Sequence, residues 1–250
     1  MNLLAIFAEQ RNLNIWFDSQ VKIIKSDTYS QVGFIEESSL GKIYIKRYIA
    51  KTWWHRIAML FNQGRAVRSF KVSSQLSELG LPVPVPYGVL TSRDSLGLPD
   101  SCYYLCQGLV DAEDLKSFYL RHKENSFEVV SDRLQQAGRQ LAALHNSGYV
   151  HGDCKWSNVL LMETQIFFVD LDNAGKIFAK NSEARDLARF VLNAEELSIG
   201  RAMFSGFLSS YLGARKNAAS TLIDECKVQL DKLRHRHQLR YGERGQRLME

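Results

Sequence analysis

His151-Gly152-Asp153-Cys154-Lys155-Trp156-Ser157-Asn158, followed by Val159-Leu160-Leu161 and then Phe167-Phe168-Val169-Asp170-Leu171-Asp172, is the stretch on which the reading of this chain turns. An aspartate and an asparagine lie 5 positions apart on a polar loop. The two short apolar runs that follow read as a β-hairpin delivering another aspartate. Loop and hairpin can therefore bring Asp153, Asn158 and Asp170 into one small volume. Phosphoryl transfer needs such a volume: a carboxylate to orient or deprotonate the attacking hydroxyl, and oxygen ligands to hold Mg²⁺ on the phosphates. Asp153 suits the first task, Asn158 and Asp170 the second. A polar turn before a buried strand is the plain alternative, and the ordered set of residues argues against it.

Outward from this stretch the pattern is strand-rich first and helix-rich afterwards. Val21 to Ile24, Gln31 to Glu36 and Gly41 to Lys46 read as strands, the last after a glycine turn and ending on a lysine. Thr52 to Leu79 reads as helix, broken near Asn62-Gln63-Gly64, with Val67, Phe70, Ser74 and Leu76 as a loose inward stripe. Pro82, Pro84 and Pro86 force the next segment to be extended, because each fixes its own φ and keeps its predecessor out of the helical region. Tyr87 to Leu90 and Tyr103 to Leu109 read as two more strands. Ser131 to Asn146 is an amphipathic helix on Leu134, Ala137, Leu141 and Leu144, with Ser131 as cap and Gly148 beyond its end. Helical patterns over Ser182 to Gly200, Arg201 to Leu212 and Ala218 to Leu239 complete the chain. This segregation predicts an α+β chain of two lobes, not alternating βαβ units.

Composition agrees with a folded domain of this size. The chain has 250 residues, of which 45% are hydrophobic and 24% charged, and no apolar run reaches the ~18 residues that span a bilayer. The start, Met1 to Trp16, carries Glu9 and Arg11 and lacks the basic leader and cleavage pattern of an export signal, so the expectation is a cytoplasmic protein. Cys102, Cys106, Cys154 and Cys226 form no CxxC pair and read as reduced structural thiols. The net charge of +5 comes from an excess near the end, on Lys227, Lys232, Arg234, Arg236, Arg240, Arg244 and Arg247 with His235 and His237 between them. A solvated helix face is the ordinary fate of such a run; a surface for an anionic partner is the functional one. Nucleic-acid binding is not expected, because the run lacks interleaved aromatics. For Trp53 and Trp54, beside His55 and Arg56, packing of at least one ring in the core is expected. Contact with a membrane interface is the alternative.

The catalytic stretch resembles the protein-kinase catalytic loop H-R-D-x-x-x-x-N, and Asp170-Leu171-Asp172 resembles D-F-G. The resemblance implies a two-lobed protein-kinase-like fold, with a strand-rich N-lobe over residues 1–107 and a mainly helical C-lobe over 108–250. It implies ATP and Mg²⁺ as cofactors and Asp153 as the catalytic carboxylate, with Asn158 and Asp170 on the metal. Ile43-Tyr44-Ile45-Lys46 resembles V-A-I-K, which makes Lys46 the candidate contact to the α- and β-phosphates; a surface lysine on an edge strand is the alternative. Lys155 is a further cofactor contact. Tyr104 to Leu109 corresponds to the hinge, with backbone groups of Cys106 to Gly108 facing adenine. Asp186 resembles the helix aspartate that braces the catalytic-loop backbone.

His-Gly-Asp lacks the arginine that reads a phosphorylated activation loop, and Asp170 to Asp186 leaves no room for a long activation segment. Arg65-Ala66, Leu79-Gly80-Leu81-Pro82-Val83-Pro84-Val85-Pro86, HGDxxxxN and Val-Asp-Leu-Asp together resemble the lipopolysaccharide core kinase family, from Val21 to Arg189. Its members phosphorylate heptose or Kdo sugars of the inner core at the cytoplasmic face of the bacterial inner membrane. The resemblance therefore implies an ATP-dependent sugar kinase with heptose as the favoured acceptor, lipopolysaccharide core as partner and peripheral contact with that membrane. Two departures stand out. No G-x-G-x-x-G precedes Lys46, where Gly33 is the only nearby glycine, so either backbone amides and hydroxyls of the polar loop from Asp27 to Gln31 cover the phosphates or they are less well covered. No acidic residue between Gly64 and Leu76 can pair with Lys46, and Glu78 lies at the helix end. A kinase-like phosphotransferase for another small molecule or a protein, and a non-catalytic pseudokinase, are the alternatives. Removing the chain from Lys227 onward is the sequence-based way to separate the small-molecule reading.

Overall fold

The computed structural model describes residues 12–37, 40–61, 63–124, 126–179, 181–216, 220–242 and 245–249. Glu9, Arg11, Asn62 and Arg244 lie outside the described residues. The chain divides into two compact units, Met1–Asp111 and Ala112–Glu250.

The first unit is built on an antiparallel sheet of order β1-β2-β3-β5-β4, with β1 Lys22–Ser26, β2 Ser30–Glu37, β3 Gly41–Ile49, β4 Pro86–Arg93 and β5 Pro99–Gln107. Alternation along β3 assigns its faces. Ile43 and Ile45 point to one side, where Phe17 of helix α1 (Leu13–Gln20) packs on them with Tyr103 and Leu105. Each such side chain, fully buried, contributes about 1.5–3 kcal/mol. Tyr44, Lys46 and Tyr48 share the other side, where Tyr48, Tyr104 and Cys106 meet α2 (Trp53–Leu60) and α3 (Arg65–Glu78) through Met59 and Ala66. Helix α1 was not expected; Asn12 caps it by accepting from the N–H groups of Asn14 and Ile15 at 3.1 Å each.

Two expectations for this unit change, and one stands. The buried stripe of α3 is Ala66, Ser69, Val72, Ser73 and Leu76; of the expected positions, Leu76 is in it, Phe70 packs partly buried against the same cluster, and Val67 and Ser74 are outside it. Small side chains at steps of three and four let the helix lie close to a face already filled with tyrosine rings. Trp53 and Trp54 are both exposed, at 60% and 77%, so neither ring joins the core. Glu78 is exposed at the last turn of α3.

The second unit begins with β6 (Glu113–Asp114) and α4 (Leu115–His122), a helix absent from the sequence reading. Asp114 caps it by accepting from the Ser117 N–H at 3.0 Å. Helix α5 runs Phe127–Asn146, so Ser131 lies inside it and does not cap it. The buried run starts at Val130 and continues through Leu134, Ala137, Leu141 and Leu144, and this apolar continuity carries the helix past the serine. Two small sheets flank the catalytic stretch: β6-β8-β9, with β8 Val159–Met162 and β9 Gln165–Phe168, and β7 (Tyr149–Val150) against β10 (Gly175–Lys176). Helices α6 (Ser182–Glu196), α7 (Arg201–Ala214) and α8 (Leu222–Tyr241) follow. Gly138 lets α5 and α7 touch: a Cβ there would meet the Phe207 carbonyl oxygen at 2.6 Å. Phe190 of α6 stacks on Phe207 of α7 at 4.2 Å, and α8 buries Leu222, Cys226 and Leu230. All four cysteines are free and buried. No helix among the described residues is long and apolar enough to cross a membrane.

Candidate active site

The segment from His151 to Trp156 lies along α6 (Ser182–Glu196), and one polar stripe of that helix holds it. Asp186, 1% exposed, accepts from the His151 N–H at 2.5 Å and the Gly152 N–H at 2.8 Å. Arg189, one turn on, donates its Nε–H to Asp153 Oδ1 at 3.1 Å. Asn193 accepts the Trp156 N–H at 2.9 Å. The Trp156 ring is fully buried and donates Nε1–H to the Phe190 carbonyl at 3.1 Å, which nails the loop into the core. Asp186 is itself oriented by His145, at 3.3 Å, whose other ring nitrogen meets the Tyr211 hydroxyl at 2.7 Å.

Gly152 explains why this motif has no arginine at its middle position. Its φ is +79°, and a Cβ would sit 2.3 Å from the Asn173 carbonyl oxygen. Backbone is what blocks the space, so no side chain fits there without moving the segment after Asp170.

His151 ties that segment to the loop. Its Nε2–H donates to the Val169 carbonyl at 3.0 Å, and its Nδ1 accepts from the Asp153 N–H at 3.4 Å. One donor and one acceptor together assign the neutral ring with the proton on Nε2. Val169 in turn donates its N–H to the Asn158 carbonyl at 3.0 Å. Asp170 therefore follows a residue bonded to both ends of the catalytic loop. It is exposed and takes a left-handed conformation, φ 61° and ψ 53°, which aspartate tolerates better than most residues.

Asp153, Lys155 and Asn158 come together. Lys155 Nζ lies 3.1 Å from Asp153 Oδ2, and Asn158 Nδ2 donates to the Asp153 carbonyl at 3.0 Å and to Oδ2 at 3.4 Å. With Nδ2 so engaged, Oδ1 is the atom of Asn158 left to ligate a cation. Burial pushes the Asp153 carboxyl up, but Lys155 by hydrogen bond and charge, with Arg189 beside it, outweighs burial and holds it below the usual carboxylate range. Such a carboxylate is charged at neutral pH and weakly basic, so it orients a hydroxyl better than it strips one. Asn158 and Asp170 suit Mg²⁺, which takes one or two protein oxygens and completes its shell with phosphate and water. Among the described residues no group of three or more His, Cys, Asp or Glu forms a metal cluster.

Lys46, Cys106 and Gly108 belong to the first unit. Lys46, central in β3, is paired in the ladder with Val32 and Tyr104 and has its Nζ 5.3 Å from the Tyr48 ring. Since β3 is flanked by β2 and β5, Lys46 is not on an edge strand. The inward face of α3 presents hydroxyls toward this part of the sheet: Ser73 accepts from the Tyr104 hydroxyl at 2.9 Å and Ser69 lies 3.4 Å from that of Tyr48. Cys106 is buried, its thiol pushed up to about 12 by burial. The N–H groups of Gln107 and Gly108 are committed to the carbonyls of Val85 and Lys42, at 2.8 Å each; the hinge donors at those positions are thus in use. In the β1–β2 turn, the N–H groups of Tyr29 and Ser30 both go to Asp27 Oδ1 at 2.8 Å. Of the two outcomes expected for that loop, this favours the weaker phosphate cover. Gly33 lies inside β2, where a Cβ would strike Val21 and the Lys22 carbonyl, so it serves strand packing.

Residues 14–211 match the model of the lipopolysaccharide kinase (Kdo/WaaP) family. The chain belongs to this family. A solved structure of WaaP in complex with acyl carrier protein superposes with a TM-score of 0.63 at 17% identity, covering 92% of this chain and 95% of that one, so the fold is kinase-like. Among curated proteins, the KEOPS complex subunit Bud32 of Pyrococcus abyssi is 26% identical over 157 residues, 60% of this chain and 66% of the relative. The 3-deoxy-D-manno-octulosonic acid kinase of Haemophilus influenzae (strain 86-028NP) is 26% identical over 141 residues, 55% of this chain and 56% of the relative. The chain thus spans between about half and two thirds of the length of these two relatives.

Sequence reasoning missed Arg189, Asn193 and Glu196 on α6, and Trp156 and His237. The first three were readable: with Asp186 they stand at steps of 3, 4 and 3, one face of a helix.

Proposed function

We propose that this chain is an ATP-dependent kinase that phosphorylates a sugar hydroxyl of the lipopolysaccharide inner core, with heptose and Kdo as the acceptors to be distinguished. The observation that carries this reading is the Asp153 carboxylate held between Arg189 and Lys155, with Asn158 at its side, in a chain of the Kdo/WaaP family. Asp153 accepts the hydrogen bond of the attacking hydroxyl and aims it at the γ-phosphorus. Lys155, already on Asp153, can share its charge with the phosphate, and Lys46 holds the α- and β-phosphates. Asn158 and Asp170 hold Mg²⁺, which would neutralise charge on the phosphates. Adenine takes its backbone contacts beyond Gly108, at Leu109 and onward, because the two preceding N–H donors are occupied. Catalysis then rests on positioning and charge stabilisation.

The test is transfer of labelled γ-phosphate from ATP with Mg²⁺ to core glycolipids lacking phosphate on heptose or on Kdo, with wild type and Asp153→Ala side by side. Label entering one glycolipid only with the intact aspartate supports the reading and names the sugar. ATP binding without transfer to either glycolipid shifts it to another acceptor. Absence of ATP binding makes the chain a pseudokinase.

We also propose that the chain works at the cytoplasmic face of the inner membrane through peripheral contact. Trp53, Trp54 and Phe61 are exposed on and beside α2, and Lys232, Arg236 and Arg240 form an exposed stripe on α8. Truncation at Lys227 cannot test this, because it removes Leu230 from the core and Arg234 from Glu195. Charge reversal of the three stripe residues can. Wild type is expected to co-sediment with vesicles containing anionic lipid, and the reversed variant and Trp53→Ser/Trp54→Ser to bind less. Equal binding by all three forms would remove the proposal.

A further inference from the structure

The described part of α8 carries two inward polar side chains, and both end on α6. Arg234 forks onto the buried carboxylate of Glu195 at 2.9 and 2.5 Å and donates to the Met249 carbonyl at 2.6 Å. The tail after α8 returns to the same carboxylate through the Leu248 N–H at 2.8 Å. This double attachment fixes the helix beside Glu196. One turn past Arg234, His237 places Nδ1 2.5 Å from Glu196 Oε1 and Nε2 3.4 Å from Arg189 Nη1. Since the carboxylate accepts and the guanidinium only donates, His237 donates through Nδ1 and receives through Nε2, the neutral tautomer. Glu196 is held on its other oxygen by Asn193 Nδ2 at 3.0 Å, the same asparagine that accepts the Trp156 N–H. Arg189, Asp153, His237 and Glu196 are each about one quarter exposed, at 26%, 26%, 27% and 24%, so these contacts are sheltered from bulk water.

We infer that Arg189 is a positioning residue for Asp153, and that the His237–Glu196 pair sets its orientation and so makes the C-terminal helix a working part of the catalytic apparatus. Asp153 has two carboxylate oxygens. Lys155 is the mobile partner on one and has phosphate to attend to; Arg189 is the fixed partner on the other. A guanidinium bound through Nε leaves its terminal nitrogens to rotate unless something holds them, and His237 holds Nη1. When Lys155 turns toward ATP, Arg189 keeps the carboxylate pointed at the acceptor hydroxyl. The inference rests on the kinase reading above, and its test separates the two.

Steady-state transfer would be measured for wild type, Arg189→Met, Arg189→Lys and His237→Phe, with KM for ATP and for the acceptor resolved from kcat. Arg189→Met is expected to lower kcat about 10- to 100-fold, the scale of a misplaced reacting group, with both KM values within about twofold. Arg189→Lys recovers part of that loss, and His237→Phe lowers kcat about fivefold while leaving both KM values in place. In ¹H–¹⁵N spectra, the Arg189 Nε–H signal is protected from exchange in wild type and loses protection in His237→Phe. A rise in acceptor KM with unchanged kcat would make Arg189 an acceptor contact and overturn the inference, as would an Arg189→Lys no better than Arg189→Met. A wild type that transfers phosphate to no core glycolipid breaks the functional reading alone. The Nε–H signal then still decides, because an unchanged signal in His237→Phe overturns the role of α8.

Discussion

Helix α6 in the second unit and helix α3 in the first each press one polar face against the segment that carries their unit's candidate chemistry, and they fill that face differently. On α6 the face is Asp186, Arg189, Asn193 and Glu196, and its groups bind the backbone N–H of His151, Gly152 and Trp156 and the carboxylate of Asp153. On α3 it is Ser69 and Ser73 between Ala66 and Leu76, and its hydroxyls meet the tyrosines flanking Lys46. Charged and amide groups grip the loop and fix its polar atoms. Neutral hydroxyls only complete the packing of a sheet that its ladder already holds. On the kinase reading proposed above, the difference implies that the chemistry around Asp153 is preorganised before substrate arrives, and that the part around Lys46 would be completed by the bound nucleotide.

The largest effect should come from the gripped side. Asp153→Ala is expected to lower transfer about 10²- to 10⁴-fold with the thermal midpoint nearly unchanged, because Arg189 and Lys155 can reach water once the carboxylate is gone. Transfer kinetics beside a melting curve checks this. A variant with near-wild-type turnover would break the comparison at its root. Lys46→Met should cost less, about 10- to 100-fold in kcat/KM for ATP, the scale of one charge-assisted hydrogen bond. If it instead equals Asp153→Ala with KM for ATP unchanged, the first unit is as preorganised as the second.

Two glycines sharpen the comparison inside the second unit. Gly148 and Gly152 have almost the same φ, +80° and +79°, yet a Cβ at Gly148 meets nothing within 4 Å while one at Gly152 strikes the Asn173 carbonyl. Gly148→Ala therefore carries only the conformational cost, about 1 kcal/mol. Gly152→Ala adds the clash and is expected to cost about 2–4 kcal/mol and to depress transfer. Urea denaturation of the pair reads the difference directly. Equal losses would mean that the segment after Asp170 gives way easily and that the loop is less tightly held than its hydrogen bonds imply.

What could be read in advance divides along the same line. His151 to Asp172 was legible because its parts lie close in sequence and each residue type has a narrow chemical use; Asp186 followed from the resemblance to the helix aspartate that braces a kinase catalytic loop. The five main strands were legible from β-branched and aromatic runs bounded by turn residues and from the proline run. The grip of α6 was legible in principle, since charged residues recurring every three or four positions on a packed helix must face something polar. His237 was not, because its meaning depends on where α8 lands, and one histidine in a basic run has the look of a solvated face. The α3 face was misread in part because serine carries no hydropathy signal: Ser69 and Ser73 are buried toward the tyrosines, while Phe70 packs only at the margin of that cluster. Helices α1 and α4 were missed because each has 8 residues and stands alone, whereas α2, equally short, was read as part of a longer helical stretch with α3.

The smallest effect tests the neutral side of the comparison. The Tyr104 hydroxyl donates to Ser73 in a fully buried pair, and Tyr104 faces Lys46 across the ladder. If α3 only packs, Tyr104→Phe removes neutral hydrogen bonds and leaves the Ser73 oxygen without that donor. The expected loss is about 0.5–1.5 kcal/mol of stability, with kcat and KM for ATP unchanged. Denaturation and transfer kinetics on the same preparation decide it. A raised KM for ATP at little cost in stability would mean that the tyrosine–serine pair helps to position Lys46, and that the α3 hydroxyls do more than pack.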